Sequence, residues 1–236
     1  MWPPPTANKA AVPGFARGLG PELSRLLRTV GGPDIHSPPQ NARLVLLGKD
    51  DDLAGLENAG VLRVAIEQGA TAIVFSPGEK LAKLFPAEVI DAKKAPGEFA
   101  DFSPCATTML ADGLRPMDLK WWGRKDDWRV FVADTSHRLQ TNSMARELVR
   151  FIPPHGYIPA EKLPEQYRSV FFEIPLGRGR LWVCDLDLEA SISADPAAQR
   201  FAMNLLRAAS NPGSTKNLPR VLSHEELLKP PSSQSR

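Results

Sequence analysis

The stretch that decides the fold runs over residues 42–75 and reads ARLVLLGKDDDLAGLENAGVLRVAIEQGATAIVF. Residues 42–48 form a continuous apolar run that ends in glycine, which is typical of a strand buried on both faces. Residues 53–68 favour a helix that Gly60 divides, and residues 70–75 form a second strand rich in β-branched side chains. A strand, a crossover helix and a strand in this order predict a parallel sheet and an α/β fold.

The second half of the chain predicts a hairpin and a closing helix. Residues 169–174 (SVFFEI) and 180–186 (RLWVCDL) are β-rich runs joined by five residues that include two glycines, as in a β-hairpin. We expect this single antiparallel hairpin at an edge of a mostly parallel sheet. Asp195 and Pro196 then begin the last helix, because aspartate is a good N-cap and proline suits the first helical turn.

The other segments give weaker signals. Short helices are predicted over residues 21–30, 79–85 and 142–151. A strand is predicted over residues 128–133, and residues 87–127 are predicted to be irregular.

Three regions follow from this pattern and from the distribution of proline. The chain has 23 prolines in 236 residues, concentrated near its ends, and proline favours extended backbone over helix. Residues 1–40 are interpreted as a linker with one short helix, in part disordered. Residues 41–212 are predicted to form the α/β domain, and residues 213–236 a mobile tail.

Charge and composition exclude several classes of function. Lys and Arg total 29 and Asp and Glu total 27, so the net charge of +2 offers no basic surface for nucleic acid or an anionic membrane. No apolar run approaches the ~20 residues that span a bilayer. The N-terminus lacks the apolar segment of a signal peptide, so the chain is expected to be soluble and not exported, unless it is part of a longer precursor.

Three sequence motifs resemble one family. They are PMDLKWW at residues 116–122, the hairpin EIPLGRGRLWVCDLDL at 173–188, and the helix DPAAQRFAMNLLRAA at 195–209. Together they resemble the glutamine-amidotransferase-like (flavodoxin-like) domain of bacterial glycoside hydrolases, of the β-galactosidase trimerisation type and its relatives in sugar-binding family 2 enzymes. The resemblance covers roughly residues 42–210. It implies a three-layer, mostly parallel sheet of the class I glutamine amidotransferase type.

Amidotransferase chemistry requires an activated cysteine at a sharp strand-to-helix turn, a histidine and an orienting carboxylate. Cys105 lies in SPCAT without the family's glycines, and Cys184 lies inside a strand, where a buried thiol is the simplest interpretation. His224 and Glu226 match the H-x-E string but lie in the predicted tail. We therefore predict no catalytic residue. Glycosidase chemistry needs two fixed carboxylates, usually on a barrel of roughly 250 residues, which we expect elsewhere in a parent protein.

Seven residues remain as candidates for ligand or interface binding. They are Asp50, Asp51, Trp121, Trp122, His155, Tyr157 and Arg178. The aspartates follow a strand end, where open α/β sheets bind ligands, but helix capping in a charged loop is the favoured interpretation. The tryptophans suit sugar stacking, an interface or packing of a loop on the sheet. The histidine and tyrosine lie between prolines and would line a crevice or serve structure, and the arginine would contact an acidic partner or water.

Three carboxylates at the end of the second hairpin strand form a candidate metal site. Asp185, Asp187 and Glu189 alternate, which would place them on one face and allow them to bind Mg²⁺ or Ca²⁺. A solvated strand end is the favoured interpretation. We therefore predict no metal and no cofactor, and the two cysteines, without a CxxC pair, are expected to be reduced thiols.

The leading hypothesis is a non-catalytic accessory or assembly module of a carbohydrate-active, glycoside hydrolase-type protein, either as a separate chain or as a fragment of a larger enzyme. Its expected partners are a neighbouring glycosidase domain or subunit, carbohydrate, or a second copy in a homo-oligomer. The alternative is a small-molecule-binding or hydrolytic enzyme that uses the crevice at the strand carboxyl ends, beyond Gly48 and Ser76.

Overall fold

The computed structural model describes residues 13–29, 38, 41–49, 60–94, 100–102, 110–115, 118, 122, 133, 135–151 and 168–210. These residues form an α/β structure with nine strands in one sheet and five helices. The elements in chain order are β1 (Gly14–Arg17), α1 (Pro21–Thr29), β2 (Leu44–Leu47), α2 (Val61–Glu67), β3 (Thr71–Phe75), α3 (Lys80–Leu84), β4 (Val89–Lys94), β5 (Ala100–Phe102), β6 (Thr135–Leu139), β7 (Arg146–Phe151), β8 (Arg168–Leu176), β9 (Gly179–Cys184), α4 (Leu188–Ser191) and α5 (Pro196–Ala209).

The sheet is mixed, with the strand order β1-β2-β3-β9-β8-β6-β4. Parallel pairing joins β1 to β2, β2 to β3 and β3 to β9. Strand β8 runs antiparallel to β9 and, along its other edge, to β6 and β7. Strands β4 and β5 extend this half by antiparallel pairing with β6 and β7. The βαβ prediction is confirmed for β2, α2 and β3, whereas a mostly parallel, flavodoxin-like sheet is not confirmed.

The β8–β9 hairpin lies at the centre of the sheet, so its predicted edge position is wrong. Residues 169–174 of β8 are all buried, because this strand has partners along both edges. A continuous apolar run is the pattern of such a central strand. The edge position followed from missing the strands that pair with β8.

Two further segments differ from their predictions. Residues 142–151, predicted as a helix, contain β7, which pairs with β8, and residues 87–127, predicted as irregular, contain β4 and β5. Pairing with β8 decides the conformation of RELVRF, whose Leu148 and Val149 are buried, because strand preference depends strongly on neighbouring strands. Of the predicted strand at 128–133, Ala133 is described, and it forms a single bridge with Leu186.

Part of the predicted linker belongs to the sheet and its core. Strand β1 pairs in parallel with β2, with Gly14 opposite Leu44, so the expected boundary at residue 41 separates two paired strands. The predicted helix at 21–30 is confirmed as α1, and its three leucines, Leu23, Leu26 and Leu27, are buried. The predicted tail at 213–236 lies outside the described residues.

Helices cover both faces of the sheet. On one face, α1, α4 and α5 bury an apolar cluster that includes Phe171, Trp182 and Phe201. On the other face, α2 and α3 pack on a second cluster that includes Phe172 and Val183. In the part of the chain that the structure describes, no helix is both long and apolar enough to cross a membrane.

The start of helix α5 is as predicted. The Asp195 side chain accepts hydrogen bonds from the backbone N–H groups of Ala197 (2.7 Å) and Ala198 (3.3 Å), and Pro196 begins the helix. These contacts satisfy N–H groups that have no partner inside the helix.

The tip of the β8–β9 hairpin caps the end of helix α2. The Arg178 N–H donates to the Glu67 carbonyl at 3.1 Å, and the Arg180 N–H donates to the Ala70 carbonyl at 3.1 Å. The Glu67 carbonyl lies in the last turn of α2, where carbonyl groups lack partners within the helix, and the hairpin supplies its partner. Gly177 has a φ of 57°, which glycine adopts easily in such a turn. The glycine pair of the hairpin motif therefore joins the sheet to α2.

Candidate functional site

A crevice opens at the carboxyl ends of the parallel strands β1, β2, β3 and β9. Its volume is about 130 Å³. Its lining consists of Gly18, Gly20, Leu23, Gly48, Lys49, Phe75, Ser76, Leu186, Asp187, Leu188 and Glu189. Open α/β sheets bind ligands at this edge, and the alternative hypothesis placed a crevice here, beyond Gly48 and Ser76.

Two glycines allow the backbone to pass closely over this edge. A Cβ at Gly48 would lie 1.7 Å from the carbonyl oxygen of Gly18, and a Cβ at Gly20 would lie 2.2 Å from Cδ of Glu189. A side chain at Gly48 would overlap backbone atoms, and one at Gly20 would displace the Glu189 carboxylate. The segment between β1 and α1 is therefore packed directly against the end of β2 and against helix α4.

Ser76 has a strained backbone inside the crevice. Its φ is 47°, a left-handed conformation that costs a residue with a Cβ roughly 1–2 kcal/mol. Its N–H donates to the carbonyl of Cys184 at 2.9 Å, which continues the pairing of β3 with β9 by one residue. Ser76 is the residue that turns the chain out of β3 toward α3. Sterically strained residues often occur at functional sites, which makes this position a candidate.

Glu189 fixes the beginning of helix α1. Its Oε1 accepts from the N–H of Glu22 at 2.7 Å, and its Oε2 accepts from the N–H of Leu23 at 3.0 Å. These N–H groups lie in the first turn of the helix, where the helix dipole favours a negative charge. The carboxylate therefore closes one wall of the crevice.

We expect Glu189→Gln to lower the free energy of unfolding by about 1–2 kcal/mol, because an amide cannot accept from both N–H groups. Urea unfolding followed by circular dichroism measures the loss. Faster hydrogen exchange at the amides of Glu22 and Leu23 would locate it. The control is Glu22→Gln, which removes the partly exposed pair with Arg25 and should cost roughly 0.5 kcal/mol or less. Equal losses in the two variants would contradict the role of Glu189.

The three carboxylates weighed as a metal site do not act together. Asp185 is fully buried, with Oδ2 2.8 Å from Nε2 of the equally buried His137. Asp187 caps α4 by accepting from the N–H of Ala190 at 3.4 Å, and Glu189 holds α1. A solvated strand end, the favoured interpretation, therefore does not describe Asp185. Among the described residues, no group of three or more His, Cys, Asp or Glu side chains is placed to hold a metal ion.

The pair of His137 and Asp185 connects the two halves of the sheet. His137 lies in β6, Asp185 follows β9, and β8 runs between these two strands. The imidazole also packs edge-on against Phe172, with ring centroids 5.3 Å apart. Sequence analysis missed this pair, since a polar segment such as TSHRL gives no strong strand signal.

Cys184 is completely buried, which agrees with the interpretation of a structural thiol. Burial raises the pKa of the Cys184 thiol well above its ordinary value, and the neighbouring Asp185 carboxylate adds to this shift. The reactive species of cysteine is the thiolate. Its burial and raised pKa therefore make Cys184 a poor nucleophile.

We expect Cys184 to resist Ellman's reagent in the native protein and to react within seconds to minutes of unfolding in guanidinium chloride. The Cys105→Ser variant leaves Cys184 as the thiol that is measured. Because folding raises the pKa, the stabilising contribution of Cys184 is complete below the ordinary thiol pKa and is lost as the pH rises above it. Rapid native labelling at neutral pH would show that the thiol is accessible.

Two of the seven candidate residues lie in the described part of the chain. Trp122 is 2% exposed and packs against Phe201, with ring centroids 6.0 Å apart. Arg178 has an exposed side chain at the hairpin tip, which lies at the other end of the strands from the crevice. The structure does not bring these two together. Outside the described residues lie Asp50, Asp51, Trp121, His155 and Tyr157, as do Cys105, His224 and Glu226.

No family model matches the sequence, and no curated protein matches it. Solved structures do show similarity. A cytoplasmic protein from Salmonella typhimurium is 10% identical with a TM-score of 0.49, and the match covers 80% of this chain and 85% of that protein. A β-galactosidase from Bacillus circulans sp. alkalophilus is 10% identical with a TM-score of 0.48 over 84% of this chain and 30% of the enzyme.

An exo-β-1,4-mannosidase from Opitutaceae bacterium strain TAV5 is 13% identical with a TM-score of 0.43, over 85% of this chain and 36% of the enzyme. The chain thus spans about a third of the length of these glycosidases. The structural neighbours therefore include bacterial glycosidase chains, at TM-scores below 0.5. Similarity at this level assigns neither a family nor an activity.

Proposed function

We propose that this chain is a non-catalytic accessory module of a carbohydrate-active protein, which holds a neighbouring domain or subunit and transforms no substrate. The observation that carries the proposal is the state of the polar groups at the carboxyl edge of the sheet. Glu189 holds α1, Asp187 caps α4, and Asp185 contacts His137. In the described residues, these groups stabilise the fold at the strand ends, where an α/β enzyme would hold its catalytic residues.

A hydrolase of the amidotransferase type would need a nucleophile and a base within hydrogen-bond reach. Cys184 is buried with a raised pKa, and the described histidine, His137, is buried against Asp185 and Phe172. Neither group is accessible to a substrate. The carbohydrate setting rests on the resemblance of residues 116–122, 173–188 and 195–209 to glycosidase-associated domains.

The test combines an activity screen with a measurement of mass. The whole chain is incubated with L-glutamine, p-nitrophenyl acetate and a set of p-nitrophenyl glycosides, and we expect no turnover above the buffer rate. Sedimentation velocity over a range of concentrations, with and without a bacterial β-galactosidase added, reports association. Turnover of any of these substrates, or a chain that stays monomeric and unassociated throughout, would count against the proposal.

A second candidate function is hydrolysis at the crevice, and the backbone of Ser76 favours it. A serine with positive φ at a strand-to-helix turn is the arrangement of nucleophile elbows in hydrolases. A fluorophosphonate probe would label such a serine covalently, and mass spectrometry would locate the label. Labelling of Ser76 that is abolished in Ser76→Ala would favour the hydrolase, and an unlabelled chain would favour the accessory module.

A further inference from the structure

We propose that the amino ends of the parallel strands β2, β3 and β9 form a docking surface for an acidic protein segment. The surface is built from Arg28, Arg43, Arg146 and Arg178. It lies at the other end of the strands from the crevice. The inference rests on the accessory role proposed above, because it names the part of the chain that would hold a neighbouring domain or subunit.

Backbone contacts place Arg43 close to the tip of the β8–β9 hairpin. The Arg43 carbonyl accepts from the Thr71 N–H at 2.9 Å, and the Ala70 carbonyl accepts from the Arg180 N–H at 3.1 Å. These bonds join the starts of β2, β3 and β9 in that order. Neighbouring strands lie about 4.8 Å apart, so Arg43 is roughly 10 Å from the start of β9. Arg178, at the hairpin tip, lies two residues before Arg180 and so belongs to the same end of the sheet.

Arg146 extends this surface past the hairpin. It begins β7 and lies opposite Glu173 of β8. Its Nη1 donates to Oε1 of Glu173 at 3.1 Å, and its side chain is 26% exposed. The other oxygen of Glu173 accepts from Nε1 of Trp182 at 2.9 Å. A guanidinium has five N–H donors, so Arg146 is held in position by one contact and can still donate to a carboxylate from outside.

Helix α1 brings a further arginine to the same end. It connects the carboxyl end of β1 to the amino end of β2, and because these strands are parallel, the helix runs back along the sheet. Arg28 lies in its last turn and is exposed. A basic residue there also interacts favourably with the helix dipole. The four arginines thus come from four separate segments that the topology brings to one end of the sheet.

This end of the sheet is more basic than the chain as a whole. In the described part of the chain, Arg28, Arg43 and Arg178 are exposed and have no ion-pair partner. Two glutamates lie beside them, the buried Glu173 and the exposed Glu67 at the end of α2. The overall count of 29 basic and 27 acidic residues does not reveal this local excess of positive charge. Such a surface is complementary to an acidic partner.

The composition of the surface favours a protein partner over a nucleic acid. Arginine binds a carboxylate through two parallel hydrogen bonds, and it is enriched in protein interfaces. A nucleic acid backbone presents closely spaced phosphates and binds best to a continuous basic surface. The exposed Glu67 interrupts this surface, because its carbonyl accepts from the Arg178 N–H and its carboxylate would repel phosphates near the hairpin tip.

The experiment measures binding of a fluorescein-labelled oligo-L-glutamate peptide to the whole chain by fluorescence anisotropy. We expect a Kd of about 10–100 µM at an ionic strength of about 0.01 M, and weaker binding at about 0.15 M, where salt screens exposed charges. Arg43→Glu combined with Arg178→Glu should weaken binding at least about tenfold. Arg43→Lys combined with Arg178→Lys keeps the charge, so binding should stay within about threefold of the unchanged protein.

The matched control is Lys80→Glu combined with Lys83→Glu, which changes the net charge equally at two exposed lysines of α3. It should leave the Kd within about twofold, because α3 follows the carboxyl end of β3. In ¹H–¹⁵N correlation spectra, the peptide should shift the amides of Arg43 and Arg178 and leave that of Ser76 unchanged.

Three results would overturn the proposal. They are absence of peptide binding, equal losses in the arginine and lysine pairs, and peptide shifts that spare Arg43 and Arg178. A short DNA duplex that binds more tightly than the peptide, and whose binding the arginine pair abolishes, would also overturn it in favour of a nucleic acid partner. Association with a β-galactosidase is measured separately by sedimentation, so failure of the accessory role and failure of this surface are distinguishable.

Discussion

Replacing Gly179 by alanine is expected to lower the free energy of unfolding by about 3 kcal/mol. The new Cβ would lie 2.2 Å from the carbonyl oxygens of both Ile66 and Ala70. Both oxygens belong to the backbone at the junction of α2 and β3, and no flexible side chain can move aside. The overlap must therefore separate the hairpin from α2 and stretch the bond from the Arg180 N–H to the Ala70 carbonyl. Urea unfolding, followed by circular dichroism at constant m-value, measures the change.

The matched control is Gly78→Ala, in the turn before α3. Gly78 has a φ of 64° with nothing within 4 Å of its Cβ position, so alanine there meets only the backbone penalty, roughly 1 kcal/mol. Gly179 has no positive φ, so its variant reports the contact alone. If Gly179→Ala lowers the free energy of unfolding no more than Gly78→Ala does, the hairpin does not pack closely on α2 at Gly179.

The parts of the fold that could be predicted are those with strong local signals. Strands β2 and β3 are continuous apolar runs, and α5 begins with an Asp-Pro pair that caps it. Strands β4, β6 and β7 read VIDAKK, TSHRL and RELVRF, in which charged and apolar residues are mixed. Their conformation depends on pairing in the half of the sheet built around β8, which local sequence does not reveal. The predicted position of the hairpin, at an edge of the sheet, is wrong for the same reason.

The candidate site shows the same division. The rule that ligands bind at the carboxyl ends of parallel strands predicts a crevice beyond Gly48 and Ser76, and both residues line the crevice. The roles of its carboxylates could not be predicted, because each depends on a partner distant in the sequence. Glu189 contacts backbone that lies 166 and 167 residues earlier, and Asp185 contacts a histidine in a strand that was not recognised.

Replacing His137 by leucine is expected to lower the free energy of unfolding by about 3 kcal/mol. The leucine fills a similar volume and keeps the packing on Phe172, so the loss comes from the charge of Asp185. This carboxylate is fully buried, and it would lose the imidazole whose Nε2 lies 2.8 Å from its Oδ2. Because the pair joins β6 to the end of β9, we also expect His137→Leu to increase the rate of hydrogen exchange more in β6 than in β3.

A double-mutant cycle separates the charge from the change of shape. Asp185→Asn removes the charge with little change in volume, and the amide can still face the imidazole, so this single variant should cost less than His137→Leu. In the Asp185→Asn background, His137→Leu no longer exposes a buried carboxylate to an apolar neighbour. Its cost should then fall by about 1–2 kcal/mol, which is the coupling energy of the pair. If His137→Leu costs the same in both backgrounds, the buried pair does not connect the halves of the sheet, and packing on Phe172 alone holds β6 in place.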